Sequence, residues 1–244
     1  MPRFFVSPEA ISEGKIRILE PDSRHISRSL RMAEGDALTV CDGEGTDYLC
    51  RLSRIRDEEC VCDIESSERT KSEPPIPVTL FMAYPKADKL EVVIQKSVEL
   101  GVCSVVPFES ERCIKRPATD KAEKNRERHS RIAAEAAKQS GRGILPTVER
   151  AVSFSDMLAS LSGFDLVLFC YEGEGAVSLR TVLSENPTPS RIAVIVGSEG
   201  GFSPEEARKI SAEGAKCVNL GPRILRCETA PDYALSALSF FYEL

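Results

Sequence analysis

The stretch "VGSEGGFSPEE", residues 196–206, joins an apolar run to a strong helix start, and it guides our interpretation of the fold. Ser203 is a typical N-cap residue, and Glu206 three residues later completes a capping box. Gly200 and Gly201 tolerate positive φ and leave room for a close ligand, because they carry no Cβ atom. The pattern predicts a tight strand-to-helix turn with free backbone N–H and C=O groups.

This turn is a poor site for phosphate. Glu199 lies within it, and neither G-x-x-x-x-G-K-[ST] nor G-x-G-x-x-G occurs there. A neutral or cationic ligand fits it better than an anion. On this stretch alone, a packing turn without any ligand remains an alternative.

Outward from the turn, the chain beyond Pro77 alternates strands with helices. The runs "VTLFMAY" (78–84), "VCSVVPF" (102–108), "DLVLFCY" (165–171) and "RIAVIVG" (191–197) are almost entirely apolar, as in strands buried on both faces of a parallel sheet. Amphipathic helices are predicted after the first of these runs, over about 118–140 and over 230–244. We therefore predict an α/β domain with a largely parallel sheet over residues 77–244.

Residues 1–70 have a different pattern. Short, partly alternating segments predict about five strands, with a hairpin turn at residues 42–45 and one helix near residues 23–31. Such a series of short strands predicts a small barrel. The polar, proline-rich stretch 66–77 separates it from the second domain.

Composition limits the class of protein. The chain has 244 residues, a net charge of −6 and nine cysteines. It has no segment typical of a membrane helix or a signal peptide, and an odd number of cysteines without an export signal indicates reduced thiols. We therefore expect a cytoplasmic protein with no membrane partner and no metal site.

Basic residues concentrate in one region of this acidic chain. Residues 111–142 hold ten Lys or Arg residues against five acids. Such a local excess is typical of a face that binds a polyanion, but on charge alone a solvated helix with i,i+4 ion pairs is the favoured interpretation.

The loops after the last strands resemble a known family. "GSEGGFSPEE" (197–206) followed by "NLGPRILRCETA" (219–230) is similar to the carboxyl-terminal signature of the RsmE family of SPOUT methyltransferases. "QKSVELGVCSVVPFESERC" (95–113) and "EAAKQSGR" (135–142) resemble upstream motifs of the same family. Its amino-terminal domain is similar to "RFFV" (3–6) and "HISRSLRMAEGD" (25–36). Ser198 departs from the family pattern, which has proline there.

The resemblance implies an S-adenosylmethionine-dependent enzyme that methylates N3 of a uridine in 16S ribosomal RNA or the small ribosomal subunit. It also implies a SPOUT α/β domain with a trefoil knot, a PUA-like β-barrel in front of it, and a homodimer. By analogy, the cofactor is held mostly through backbone atoms of Tyr171, Glu172, Gly173, Gly197, Glu199, Gly200, Gly201, Leu220, Gly221, Ile224 and Leu225.

Methylation of N3 requires that its proton leaves, and a cationic group lowers that cost by stabilising negative charge on the flanking carbonyl oxygens. Arg226 is the first candidate for this catalytic role and Arg112 the second, with Glu228 or a water as proton acceptor. The alternative for Arg226 and Glu228 is an ion pair that closes the last helix.

RNA contacts are expected mainly in the amino-terminal domain, which contains several arginines and two adjacent phenylalanines, because RNA-binding modules use arginines for the backbone and aromatic rings for unpaired bases. The candidates that bind RNA are Arg3, Arg24, Arg28, Arg31 and Arg142. Phe4 and Phe5 fit a buried core better than base stacking. On the terminal helix, Leu235, Leu238, Phe241 and Tyr242 are more apolar than one sheet face requires, which favours a dimer.

Two other functions remain open at this point. A non-catalytic RNA-binding or ribosome-assembly protein on the same fold is the main alternative. A nucleotide-dependent metabolic enzyme is disfavoured, because the sequence has no phosphate-binding loop.

Overall fold

The computed structural model describes residues 1–114, 122–173 and 175–244. The predicted beginning of the basic helix near residue 118, with Lys115, Arg116 and Lys121, lies outside these ranges. The chain divides into two compact units, Met1–Glu73 with Ala137–Leu145 and Pro74–Ala136 with Pro146–Leu244. The sequence placed residues 137–145 with the second domain, whereas the structure groups them with the first unit.

The first unit is built on a six-stranded sheet. Its strands are β1 (Arg3–Phe5), β2 (Ile11–Ser12), β3 (Lys15–Leu19), β4 (Ala37–Cys41), β5 (Thr46–Ile55) and β6 (Glu59–Arg69). They lie in the order β1-β4-β5-β6-β3-β2, with β1 parallel to β4 and the other neighbours antiparallel. The hairpin predicted at residues 42–45 joins β4 to β5.

The helix predicted near residues 23–31 is shorter and less regular than expected. It is α1 (Asp22–Arg24), which continues as a π-helical turn over His25–Ser29. Ile26 of this turn is fully buried and packs with Phe4, Ile16 and Leu38 into the core of the unit. Phe4 is thus a core residue, as the sequence favoured.

The second unit, in the part that the structure describes, contains a seven-stranded sheet. Its strands are β7 (Val78–Ala83), β8 (Ser104–Phe108), β9 (Thr147–Val148), β10 (Leu166–Cys170), β11 (Val177–Ser178), β12 (Ile192–Val196) and β13 (Lys216–Asn219). Their order is β11-β13-β10-β12-β7-β8-β9, and every pairing is parallel. This confirms the predicted parallel α/β sheet.

Helices connect these strands. They are α2 (Lys89–Glu99), α3 (Ala122–Ser140), α4 (Phe154–Ser160), α5 (Leu179–Glu185), α6 (Pro204–Ala212) and α7 (Thr229–Tyr242). Three-residue 3₁₀ turns also occur at Pro8–Ala10 and Leu161–Gly163. The apolar side of α2 is buried as its spacing predicts, and Gly101, with φ of +91°, follows its end.

Burial in the sheet explains why its strands are apolar throughout. All six residues of β7 and all five of β12 are buried, because a parallel sheet is covered on both faces. Among the described helices, none is both long enough and apolar enough to cross a membrane. All nine cysteines are free thiols.

Candidate functional site

A cavity of about 610 Å³ lies where three neighbouring strands of the second unit end. These strands are β13, β10 and β12, which are adjacent in the sheet. The carboxyl ends of parallel strands are the usual ligand site of an open α/β sheet. The cavity is lined by the following residues that the sequence assigned to the cofactor: Tyr171, Glu172, Gly197, Glu199, Gly201, Leu220, Ile224 and Leu225.

Three residues assigned to the cofactor are not among the residues that line this cavity. Gly173 and Gly221 line an adjoining cavity of about 320 Å³, which shares Glu172 and Ile224 with the first. Gly200 lines neither cavity, because its Cα faces Arg112: a Cβ atom at position 200 would lie 2.8 Å from both Arg112 Cβ and the Arg112 carbonyl oxygen. Gly200 therefore serves close packing behind the turn.

The turn after β12 has the predicted cap. The side-chain oxygen of Ser203 accepts a hydrogen bond from the Glu206 N–H, and Glu206 Oε2 accepts one of 3.0 Å from the Ser203 N–H. The Gly201 N–H donates to the Ser198 carbonyl at 2.9 Å, and Gly201 has φ of +64°. Only Gly201 of the two glycines uses the left-handed region, so the pair has two separate roles.

An aromatic cluster packs against the turn. The rings of Phe169 and Tyr171 stack at 5.1 Å, and Phe202 meets Phe169 edge-on at 5.0 Å. A Cβ atom at Gly197 would come within 3.0 Å of the Phe202 ring. Glycine at position 197 therefore lets the turn rest on Phe202, which is itself buried.

This site also contains a lysine that no local sequence pattern singles out. Lys89, the first residue of α2, lines the cavity, and its Nζ lies 3.1 Å from Glu199 Oε1 and 3.0 Å from Glu228 Oε2. Glu199 also accepts hydrogen bonds from the backbone N–H of Lys86 at 3.2 and 3.3 Å. One ammonium group thus joins the turn after β12 to the residues just before α7.

These contacts change the acidity of the three side chains. Burial alone would raise the pKa of Glu228, but the hydrogen bond from Lys89 brings it below its ordinary value. The same balance of burial against backbone N–H groups and Lys89 lowers the pKa of Glu199. Hydrogen bonds to Glu228 and Glu199 raise the pKa of Lys89. All three groups are therefore ionised at neutral pH.

Arg226 stands at the edge of the cavity. Its side chain is 82% exposed, and its Nη1 lies 4.0 Å from Glu228 Oε1, at the limit of an ion pair. This loose contact leaves the guanidinium free to meet a ligand. Arg112, the second catalytic candidate, does not line the cavity; its Nη1 donates to the Gly200 carbonyl at 3.3 Å.

Two further polar side chains, Cys227 and Ser198, line the cavity. Burial raises the pKa of Cys227 to about 12, so its thiol stays protonated at neutral pH. The hydroxyl of Ser198, where the family pattern has proline, is buried and finds no hydrogen-bond partner among the described residues. Within the same residues, no group of three or more His, Cys, Asp or Glu side chains could hold a metal ion.

Two of the arginines predicted to bind RNA are engaged inside the first unit. Arg3 forms two hydrogen bonds with Asp47, at 2.6 and 2.7 Å. The Arg142 side chain is 3% exposed and pairs with Glu73 at 2.7 Å. A guanidinium in a buried ion pair cannot reach an RNA phosphate, so the expectation for Arg142 does not hold, and that for Arg3 is weakened.

The other three arginines are accessible. Arg24, Arg28 and Arg31 are exposed on or beside α1 and the π-helical turn. Arg24 pairs with Glu20 at 2.5 Å and Arg28 pairs with Asp57, both at the surface. Exposed pairs of this kind are weak and exchange readily for another anion.

Comparison with known proteins gives a consistent result. The model of an RNA methyltransferase domain matches residues 72–239, and the model of an RNA methyltransferase PUA domain matches residues 18–65. The chain is 36% identical to ribosomal RNA small subunit methyltransferase E of Bacillus subtilis (strain 168), covering 100% of this chain and 98% of that protein. It is 32% identical to the protein of the same name from Synechocystis, covering 99% and 78%.

A solved structure shares the whole fold. It is ribosomal RNA small subunit methyltransferase E from Neisseria gonorrhoeae bound to S-adenosyl methionine. It superimposes with a TM-score of 0.87 at 31% identity, covering 99% of this chain and 98% of that one.

Proposed function

The chain belongs to the RNA methyltransferase family that includes ribosomal RNA small subunit methyltransferase E, and from this premise we propose that it methylates N3 of a uridine in 16S ribosomal RNA. It is an S-adenosylmethionine-dependent enzyme that acts on small-subunit ribosomal RNA. The observation that carries the proposal is the cavity at the ends of β13, β10 and β12, which joins the glycine turn to Arg226. A ribosomal substrate implies a cytoplasmic enzyme.

The residues of this cavity suit S-adenosylmethionine, which supplies a methyl group activated on a sulfonium. A volume of about 610 Å³ lies within the range of pockets for cofactor-sized ligands. The turn around Gly197 and Gly201 offers backbone groups, and Leu220, Ile224 and Leu225 offer apolar contact for the adenine. The carboxylate of Glu199 suits a cationic ligand better than a phosphate.

Arg226 is the group we assign to the reacting base. Loss of the N3 proton spreads negative charge onto the two carbonyl oxygens beside N3, and a guanidinium at the cavity edge stabilises that charge. Glu228 restrains Arg226 from 4.0 Å without neutralising it. Arg112 contacts Gly200 and does not line the cavity, so it remains our second choice.

Glu228 is a weak candidate for the proton acceptor. Lys89 already donates to its Oε2 at 3.0 Å and lowers its pKa below the ordinary value. A carboxylate stabilised in its ionised form accepts a proton less readily. Glu228 also does not line the cavity. We therefore assign to Glu228 the orientation of Arg226, and we propose that a water molecule in the cavity passes the N3 proton to bulk solvent.

RNA binding is assigned to the exposed arginines of the first unit. Arg24, Arg28 and Arg31 lie on a single short segment, and guanidinium groups position a phosphate backbone without reading its sequence. Arg3 and Arg142 instead stabilise the unit through Asp47 and Glu73.

A trefoil knot and a homodimer complete the proposal. Leu235 and Leu238 of α7, which suggested the dimer, pack inside their own unit. Phe241, which also suggested the dimer, is exposed, and so are its neighbours Phe240 and Leu244. A group of exposed apolar side chains is typical of an interface with a second copy. Sedimentation at micromolar concentration tests this, and a monomer there would contradict it.

The proposed activity is tested directly with purified components. Calorimetry should show micromolar binding of S-adenosylmethionine and no comparable binding of ATP or NAD. A methyl group on N3 blocks the pairing edge of uridine, so reverse transcription of treated 16S RNA should stop at one position. Assembled small subunits and naked RNA are compared as substrates. Binding without any methylated product from either would support the non-catalytic alternative.

A further inference from the structure

We propose that Lys89, Glu199 and Glu228 form a charge cluster, with one net negative charge, that makes the cavity prefer the cationic cofactor over its neutral demethylated product. The inference rests on the proposed function, since it presupposes that S-adenosylmethionine binds in this cavity. It adds a determinant of specificity that lies outside the glycine turn and Arg226.

The cluster is defined by one ammonium between two carboxylates. Lys89 Nζ lies 3.1 Å from Glu199 Oε1 and 3.0 Å from Glu228 Oε2. The side chains of Lys89, Glu199 and Glu228 are 32%, 25% and 23% exposed. One positive and two negative charges leave a net charge of −1 in this partly desolvated cluster, of which Lys89 and Glu199 line the cavity and Glu228 lies behind Lys89.

The other charged residues that line the cavity nearly cancel. They are Glu172 and Arg226, which carry opposite charges and are both exposed to solvent. Water screens exposed charges strongly, and the less exposed cluster less so. The field inside the cavity is therefore set mainly by the cluster.

Such a field distinguishes the two forms of the cofactor. Transfer of the methyl group converts the sulfonium of S-adenosylmethionine into the thioether of S-adenosylhomocysteine, which removes one positive charge at sulfur. The adenosine and the amino-acid part are the same in both, so their contacts contribute equally. A net negative charge beside the cavity therefore distinguishes the two compounds only through the sulfonium, which favours retention of the cofactor and release of the product.

Within the cluster, Lys89 is a positioning residue. Two carboxylates within reach of one ammonium would repel each other without it, so Lys89 holds both near the same wall of the cavity. Glu228 does not line the cavity. It acts through Lys89, by compensating the positive charge that Lys89 would otherwise present to the sulfonium.

The test measures a ratio of affinities. Calorimetry at neutral pH gives the Kd of S-adenosylhomocysteine divided by the Kd of S-adenosylmethionine for each protein. General damage to the cavity weakens both ligands and leaves this ratio unchanged. Glu228→Gln makes the cluster neutral and should lower the ratio about tenfold, which corresponds to roughly 1.4 kcal/mol.

A double variant separates charge from structure. Lys89→Met combined with Glu228→Gln leaves Glu199 alone, restores a net charge of −1, and should return the ratio to within about twofold of wild type. A structural role for the Lys89–Glu228 contact predicts no such recovery. Glu99→Gln is the matched control, because Glu99 pairs with Lys96 at 2.9 Å on the surface of the same helix. It should not change the ratio.

The outcomes are distinct. The inference is overturned if Glu228→Gln has the wild-type ratio. It is also overturned if the ratio of the double variant is as low as that of Glu228→Gln. If Glu228→Gln does not fold, Glu199→Gln removes the same charge and must lower the ratio likewise; an unchanged ratio there also overturns it. A wild-type protein that binds neither compound contradicts the proposed function instead.

Discussion

Glu206 Oε1 accepts a hydrogen bond of 2.7 Å from the backbone N–H of Glu111, although the two residues lie far apart in the chain. The other oxygen of Glu206 caps the first turn of α6 through the Ser203 N–H. A single carboxylate, only 5% exposed, therefore fixes the glycine turn and the loop that carries Arg112 to one another.

We expect Glu206→Gln to break this connection. A glutamine has one accepting oxygen, so either the Ser203 or the Glu111 N–H loses its partner. The cost should be about 1.5–3 kcal/mol of unfolding free energy, as for a buried hydrogen bond to a charged group. Urea denaturation measures it. Glu205→Gln is the control, since Glu205 pairs with Lys209 at 3.5 Å on the exposed side and should cost almost nothing.

Arg226→Ala should separate binding from chemistry. Removal of the guanidinium should lower the rate of methyl transfer about 10²–10³-fold, the usual cost of losing a group that stabilises developing charge. The affinity for S-adenosylmethionine should change little. Arg223→Ala serves as the control, because Arg223 is exposed in the same loop and lines only the adjoining cavity. Transfer by Arg226→Ala within tenfold of wild type would remove Arg226 from its assigned role.

The two glycines of the turn should respond differently to substitution. Gly200→Ala forces a Cβ atom to 2.8 Å from Arg112, and should destabilise the fold by about 1–3 kcal/mol. A Cβ atom at Gly201 meets no atom within 4 Å, but φ of +64° costs a non-glycine residue about 1–2 kcal/mol. Asparagine tolerates this region, so Gly201→Asn should be milder than Gly201→Ala. Equal unfolding midpoints for those two variants would contradict this explanation.

Ser198→Ala should not destabilise the protein. Its buried hydroxyl has no hydrogen-bond partner among the described residues, so its removal relieves an unsatisfied group. We expect unchanged stability or a gain of up to about 1 kcal/mol. Ser203→Ala on the same turn should lose about 1 kcal/mol, because it removes a helix cap. A clear loss of stability in Ser198→Ala would mean that the hydroxyl does have a partner.

Acid should weaken the wild-type fold partly through Glu199 and Glu228. The pKa of each is lowered from its ordinary value of 4.5 in the folded state, so the folded protein binds fewer protons than the unfolded chain below that pH. The stability that they contribute is complete above about pH 4.5 and is lost as the pH falls through the lowered folded pKa. Lys89→Met removes the largest lowering cause for Glu228 and one of several lowering causes for Glu199.

The measurement is the urea midpoint of wild type and Lys89→Met at a series of pH values below neutrality. The difference between the two proteins should shrink as the pH falls below about 4.5, since contributions of the other carboxylates cancel in the subtraction. Lys96→Met is the surface control for loss of a lysine from α2. A difference that is constant with pH would contradict the assigned cause.

Local patterns predicted the long strands and the capped turn well. Strands such as Val78–Ala83 and Ile192–Val196 are buried on both faces, and their sequences are therefore continuous apolar runs that are easy to recognise. The two-residue strands Thr147–Val148 and Val177–Ser178 were missed, because two residues are too few to show any period. The short α4 and α5 were missed for a similar reason.

Local sequence patterns do not predict ion pairs between residues that are far apart in the chain. Lys89 reaches Glu199 and Glu228 only because the order of strands brings the start of α2 to the same edge of the sheet, and local spacing does not specify that order. Arg142 looked like an accessible arginine in a basic stretch, because no residue near it in the sequence indicates that it pairs with Glu73. The glycine turn was found because its cap and its glycines lie within eleven consecutive residues, 196–206.

The division of the chain into units has a consequence for its synthesis. Residues Ala137–Leu145 belong with the first unit, but they leave the ribosome only after all of Pro74–Ala136 has been made. Until then Glu73 has no Arg142 to pair with. The first unit of a nascent chain therefore cannot complete its folding before residues 74–136 of the second unit have been synthesised. For the same reason, a protein truncated after residue 73 lacks Arg142, and with it the ion pair to Glu73 in the first unit.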